Sequence, residues 1–143
     1  MFDFYKISRK RSMLMNYVKD FRKLNVAKRI RLLCHRMYEI SYSLSSHESN
    51  ELGGQLRRAM DSVYLNLAEG NGQLYIKKEV QFLSVAIGSI SEVKACIDLI
   101  YDREYINEVD FRELDEELTQ ITKILFSMYK KIKENLNYKI LYY

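Results

Sequence analysis

From Val26 onward the apolar residues fall at Val26, Ile30, Leu33, Met37, Ile40 and Leu44, alternating steps of four and three that place all six on one stripe of a helix. The spacing predicts helix 1 over roughly residues 16–45. The serine-rich segment from Ser41 to Asn50 interrupts it with side chains that compete for backbone hydrogen bonds. The pattern resumes at Leu52, Leu56, Ala59, Met60, Val63 and Leu67, which gives helix 2 over about 50–70.

Gly70-Asn71-Gly72 supplies residues that tolerate left-handed backbone angles just past a helix end. Beyond it Phe82, Ala86, Ile90, Val93, Ile97 and Ile100 form a third stripe, helix 3, over about 74–102. Asn107 is placed to cap the next helix, with Glu108 and Asp110 in its positive first turn. Phe111, Leu114, Leu118, Ile121, Leu125, Met128 and Ile132 then alternate by three and four, the stripe of helix 4, from Glu108 to about residue 136. Helices joined by short connections return antiparallel, so the fold class is all-α, an up-down-up-down four-helix bundle. The chain has no proline and only five glycines, so the punctuation of strands and hairpins is missing.

A chain of 143 residues fits one domain and buries a core without help from metals or disulfides. Cys34 and Cys96 sit inside apolar helical patterns with no CxxC pair or histidine cluster, which reads as buried thiols in a reducing cytoplasm. No segment approaches the ~18 uninterrupted apolar residues of a membrane span, so the expectation is a cytoplasmic protein with no membrane contact. Nothing points to an enzyme or a cofactor: His35 and His47 stand apart, and there is no phosphate loop, HExxH or nucleophile motif.

Charge changes this picture more than composition does. Residues 1–36 hold eleven Lys/Arg against two Asp, a net +9 in a chain whose total is +4. Arg22, Arg29 and Arg36 are seven residues apart, which stacks them on one flank of a continuous helix 1; Lys23, Lys28 and Arg31 widen the face, and Arg57 and Arg58 extend it from helix 2. Guanidinium groups on a rigid rod can pair with successive phosphates and release counterions, which points to structured RNA or DNA. The alternative is pairing with acids within or between subunits, and Glu108, Asp110, Glu113, Asp115, Glu116 and Glu117 of helix 4 are abundant partners. A protein-binding adaptor with an acidic partner stays open on the same residues.

The run Leu56-Arg57-Arg58-Ala59, with Ser62, Asn66-Leu67-Ala68-Glu69-Gly70, Phe82-Leu83, Ala86-Ile87-Gly88-Ser89 and Glu92, resembles a family of bacterial four-helix-bundle proteins. These are the products of intervening sequences in large-subunit ribosomal RNA genes, the S23-like proteins, a family that includes accessory proteins of diversity-generating retroelements. The resemblance spans about residues 20–132. It implies a ring-shaped homopentamer and two settings, an accessory subunit working with a reverse transcriptase and its template RNA, or a protein linked to a ribosomal RNA intervening sequence. Ser62, Asn66, Glu69, Gly70, Gly88, Ser89 and Glu92 are then structural or interface residues. The small patch at Ala86, Gly88, Ser89, Ser91 and Ala95 lets a backbone approach, from within the bundle or from a second subunit. Leu24 and Leu32, outside the helix 1 stripe, also hint at assembly.

Residues 1–15, with Arg9-Lys10-Arg11, read as a basic arm, for which Met13 and Met15 offer alternative starts; 16–136 form the bundle and 137–143 a C-terminal tail.

Overall fold

The computed structural model describes residues 19–142, with side chains through residue 135, so the basic arm lies outside the described residues. The chain enters on a 3-10 turn, Phe21–Lys23, whose first amides are capped by Asp20: its carboxylate accepts from the Arg22 backbone N–H at 3.1 Å. Helix α1 (Asn25–Ser43) follows, then a single turn α2 (Ser46–Asn50), then α3 (Leu52–Asn71), α4 (Ile76–Asp102) and α5 (Glu108–Tyr142).

The four long helices are those the apolar periodicity predicts, with two differences at the ends. Helix 1 begins at Asn25, because residues 19–24, predicted inside it, turn rather than coil regularly; its predicted residues 16–18 lie outside the described residues. The last helix runs on to Tyr142, through residues that the periodicity assigns to a tail. The serine-rich break is real but not shapeless. Ser41 and Ser43 hydroxyls donate back to the Tyr38 and Ile40 carbonyls at 2.8 and 2.7 Å, which ends α1, and the five residues of α2 turn the corner into α3.

Each long helix packs on the previous one, and α5 closes the bundle against α1; α1 and α4, and likewise α3 and α5, lie across the diagonals. Val26, Ile30, Leu33 and Met37 of α1 meet Leu56, Met60, Val63 and Leu67 of α3 in one core with Leu83, Ile90, Val93, Ile97 and Ile100 of α4 and Leu114, Leu118, Ile121 and Leu125 of α5. Leu24 packs partly buried against that core, so only Leu32 of the two off-stripe leucines is free. The Asn107 side chain accepts from the Asp110 N–H at 2.8 Å, capping α5 as its position predicts. No described helix is long and apolar enough to cross a membrane.

Candidate nucleic-acid interface

The predicted row of arginines is dispersed by its own pairing. Arg22 sits on the 3-10 turn rather than on α1, and its Nε and Nη2 donate to Asp20 Oδ1 and Oδ2 at 2.9 and 3.0 Å, which holds the Asp20 carboxyl below the usual carboxylate range. Arg29 makes a two-pronged bond to Glu117, at 2.9 and 2.8 Å, and that bond lowers the Glu117 pKa. Arg36 Nη2 donates to Glu113 at 3.0 Å and to Asp110 at 3.4 Å. These last two arginines brace α1 against α5 across an open groove of about 330 Å³, lined also by Leu32 and Leu33. A groove walled by paired charges with two glutamates in it offers little to a polyanion.

Arg57 is also engaged inward. It donates to Ser41 Oγ at 3.0 Å and to the Ser49 carbonyl at 3.2 Å, and its guanidinium lies 4.4 Å from the Tyr42 ring centroid. One side chain thereby ties the end of α1 and the α2 corner to α3. Of the residues proposed from sequence, Lys23, Lys28, Arg31 and Arg58 remain exposed, with no salt bridge or hydrogen bond described for their side chains.

The polar motif residues divide in the same way. Ser62 of α3 and Ser89 of α4 share a hydrogen bond of 2.7 Å, and Asn66 Nδ2 donates to the Ser62 carbonyl and hydroxyl at 2.8 and 3.0 Å. This short chain fixes the α3/α4 register. Gly70 lets the end of α3 close on α4: a Cβ there would stand 3.1 Å from Phe82 Cβ and 3.3 Å from the Glu79 carbonyl oxygen. Glu69 and Glu92 point to solvent, and so does Gly88, where a Cβ would meet nothing within 4 Å. Of the small patch on α4, Ala86 and Ser89 face the core, whereas Gly88, Ser91 and Ala95 are exposed, so packing within the bundle does not account for them. Among the described residues no group of three or more His, Cys, Asp and Glu side chains is placed to hold a metal.

Folding redistributes charge along the bundle axis. One end carries the 3-10 turn and the α3–α4 loop; the other carries the α2 corner and the α4–α5 loop. With each long helix cut near its middle, the first end comprises residues 19–33, 62–88 and 122–135, which hold twelve Lys/Arg against four Asp/Glu, a net +8. The other, residues 34–61 and 89–121, holds six Lys/Arg against fourteen Asp/Glu, a net −8. The described bundle is therefore neutral in sum and strongly polar in layout. Lys77 and Lys78 in the first turn of α4, and Lys130, Lys131 and Lys133 on α5, are exposed at the basic end and stand outside the sequence-predicted face, although the runs Lys77-Lys78 and Lys130-Lys131 are visible signals.

The sequence profile of the 23S rRNA-intervening sequence protein family matches residues 22–127. A solved structure from Bacteroides thetaiotaomicron VPI-5482, described as a protein of unknown function from the S23 ribosomal protein family, superimposes with a TM-score of 0.68 at 20% identity, covering 73% of this chain and 98% of that one. It is similar in fold. No curated protein matches the chain.

Proposed function

The chain belongs to the 23S rRNA-intervening sequence protein family, and on that footing we propose that it is a non-enzymatic protein that binds structured nucleic acid on the basic end of its bundle. The observation that carries this reading is the axial separation of +8 from −8 in a bundle with no net charge. Such a layout steers a polyanion to one end and repels it from the other. The contacts fall to Lys23, Lys28 and Arg31 together with Lys77, Lys78, Lys130, Lys131 and Lys133, whereas Arg22, Arg29, Arg36 and Arg57 are held by partners of their own. A binding rather than a chemical role is supported by the motif itself, whose Ser62, Asn66 and Ser89 are spent on helix register and whose two glutamates stand apart in solvent.

We extend the reading to a homo-oligomer, with the pentamer implied by the family resemblance as its form. One exposed apolar side chain on each long helix, Leu32, Leu65, Val85 and Phe126, and the open space over Gly88 support contacts with neighbouring copies. Cyclic symmetry gives every subunit the same orientation about the axis. Bundles inclined to that axis would then bring their basic ends to one rim, multiplying the field there. A reverse transcriptase with its template RNA, in a diversity-generating retroelement, is one cellular setting; a ribosomal RNA intervening sequence is the other. A reverse transcriptase gene and a template repeat beside this gene would select the first.

The test is binding to a structured RNA and to duplex DNA across a salt series, for the wild type and for Lys23→Gln/Lys77→Gln/Lys78→Gln, with oligomeric mass recorded for both. The wild type is expected to lose affinity steeply with salt, and the triple variant to have a log–log slope shallower by roughly one unit for each phosphate it no longer neutralises, at unchanged mass. No binding at low salt, or identical slopes for both proteins, refutes the reading and leaves a protein-binding adaptor with an acidic partner.

A further inference from the structure

The four-residue loop between α3 and α4 presents Leu74 at 93% exposure and Tyr75 at 71%. Two large apolar side chains at a loop tip are held in water with nothing in the fold requiring it, and the surroundings are cationic. Lys77 and Lys78 follow directly and are exposed. Lys19, just ahead of the 3-10 turn, is bonded to Glu79 in the first turn of α4 at 3.5 Å. Tyr75 differs from the other strongly exposed aromatics. The Tyr42 ring is covered by the Arg57 guanidinium, and Phe126 stacks on Tyr129 with centroids 6.2 Å apart. The Tyr75 ring is engaged by no described aromatic or cation, and its hydroxyl has no described hydrogen bond.

A free aromatic face among lysines is the combination that engages an unpaired base and its phosphates together, since every base has a π-face that stacking can use. A continuous duplex hides those faces. We propose that Tyr75, with Leu74 beside it, stacks on unpaired bases held at the basic end, so that the ligand is a nucleic acid in which a single-stranded loop or terminus adjoins a stem. This deepens the proposed function and rests on it.

The experiment uses the full chain and two RNA probes of equal stem length, one a hairpin with an unpaired loop and one a blunt duplex. Tyr75→Ala should lower affinity for the hairpin roughly tenfold or more while leaving the duplex unchanged, and Tyr75→Phe should keep the hairpin affinity. The chain contains no tryptophan, so Tyr75→Trp installs a single tryptophan whose emission should be quenched by the hairpin and not by the duplex. If Lys77→Gln/Lys78→Gln weakens both probes while Tyr75→Ala weakens neither, charge-driven binding stands and stacking is refuted. If the wild type binds neither probe, both readings fall. Vesicles of anionic phospholipid complete the test: capture that depends on Tyr75 while hairpin affinity does not would overturn the proposal in favour of a membrane-surface contact.

Discussion

Gly53→Ala should unsettle the corner where α1 hands over to α3. A Cβ built on Gly53 would stand 2.8 Å from the Ser41 carbonyl oxygen, a backbone atom, with Arg57 Nη1 at 3.3 Å and the Glu48 carbonyl oxygen at 3.5 Å. Ordinary contact begins near 3.4 Å, so α3 must move off α1 by roughly 0.6 Å. The same carbonyl belongs to the residue whose hydroxyl accepts from Arg57, so the shift also strains that clamp. Overpacking of this kind costs about 1–3 kcal/mol. Alanine's better helix propensity returns about 0.8–1 kcal/mol, which leaves a net loss of up to about 2 kcal/mol. For a domain of this size that is a fall in Tm of up to about 6 °C, readable by circular dichroism. Two other glycines are the comparison. At Gly54 the new methyl would meet the mobile guanidinium end of Arg58 at 3.2 Å, and at Gly88 nothing within 4 Å. Both alanine variants should fold at least as stably as the wild type. A Gly53→Ala protein as stable as Gly54→Ala would refute the close approach. A Gly88→Ala protein that keeps its helix content and loses assembled mass would place a neighbouring subunit on that face; one that loses stability at unchanged mass contradicts the open space.

The Arg29–Glu117 pair, bidentate but about two-fifths exposed on the arginine side, should give a coupling of about 0.5–1 kcal/mol in a double-mutant cycle with alanine, shrinking in high salt. Because Arg29 lowers the Glu117 pKa from 4.5, the stability the pair supplies is complete above that pH and is lost as pH falls through the lowered value, so the acid limb of the Arg29→Ala stability curve should be flatter than that of the wild type. Glu104, at φ 63° just past the end of α4, takes a left-handed conformation that glycine adopts without strain, so Glu104→Gly should stabilise the fold by about 0.5–1 kcal/mol in urea titration. Burial, reinforced by Asp61, pushes the Cys34 thiol up to about 11, so its alkylation by iodoacetamide at pH 8 should run roughly a hundredfold slower than that of a free thiol, and near-equal rates would show that the site is open.

The helices were legible because their apolar stripes are long and unbroken. Leu114, Leu118, Ile121 and Leu125 are all buried, as their three-and-four spacing requires. The ends were harder. Apolar periodicity says nothing of residues 19–24, where Asp20 captures Arg22 both through the backbone and through the guanidinium, and a turn results instead of another pitch of helix. Gly88 illustrates a related limit: a small residue on a helix is written the same way whether it faces a close neighbour, as Gly70 does, or open space. Only the rotation of α4 about its axis separates the two, and that rotation is set by Ala86, Ile90, Val93 and Ile97 on the opposite side.

Charge was the most visible feature of the sequence and the one most altered by folding. A tally along the chain puts the positive charge in the first 36 residues and the negative charge in helix 4, which suggests a basic helix face. In the bundle α1 and α5 are neighbours, so Arg29 and Arg36 meet Glu117 and Glu113 and cancel locally. What is left uncancelled comes from segments far apart in sequence: the turn before α1, the start of α4 and the later part of α5, which an up-down topology delivers to one end. Antiparallel packing thus converts a longitudinal charge pattern into an axial one. Lys77 and Lys131 become partners in one field although more than fifty residues separate them. Substituting either alone should change binding little if the end acts as a collective field, whereas replacing both should weaken binding to hairpin and duplex alike and reduce the salt slope in steps, with no single lysine abolishing affinity.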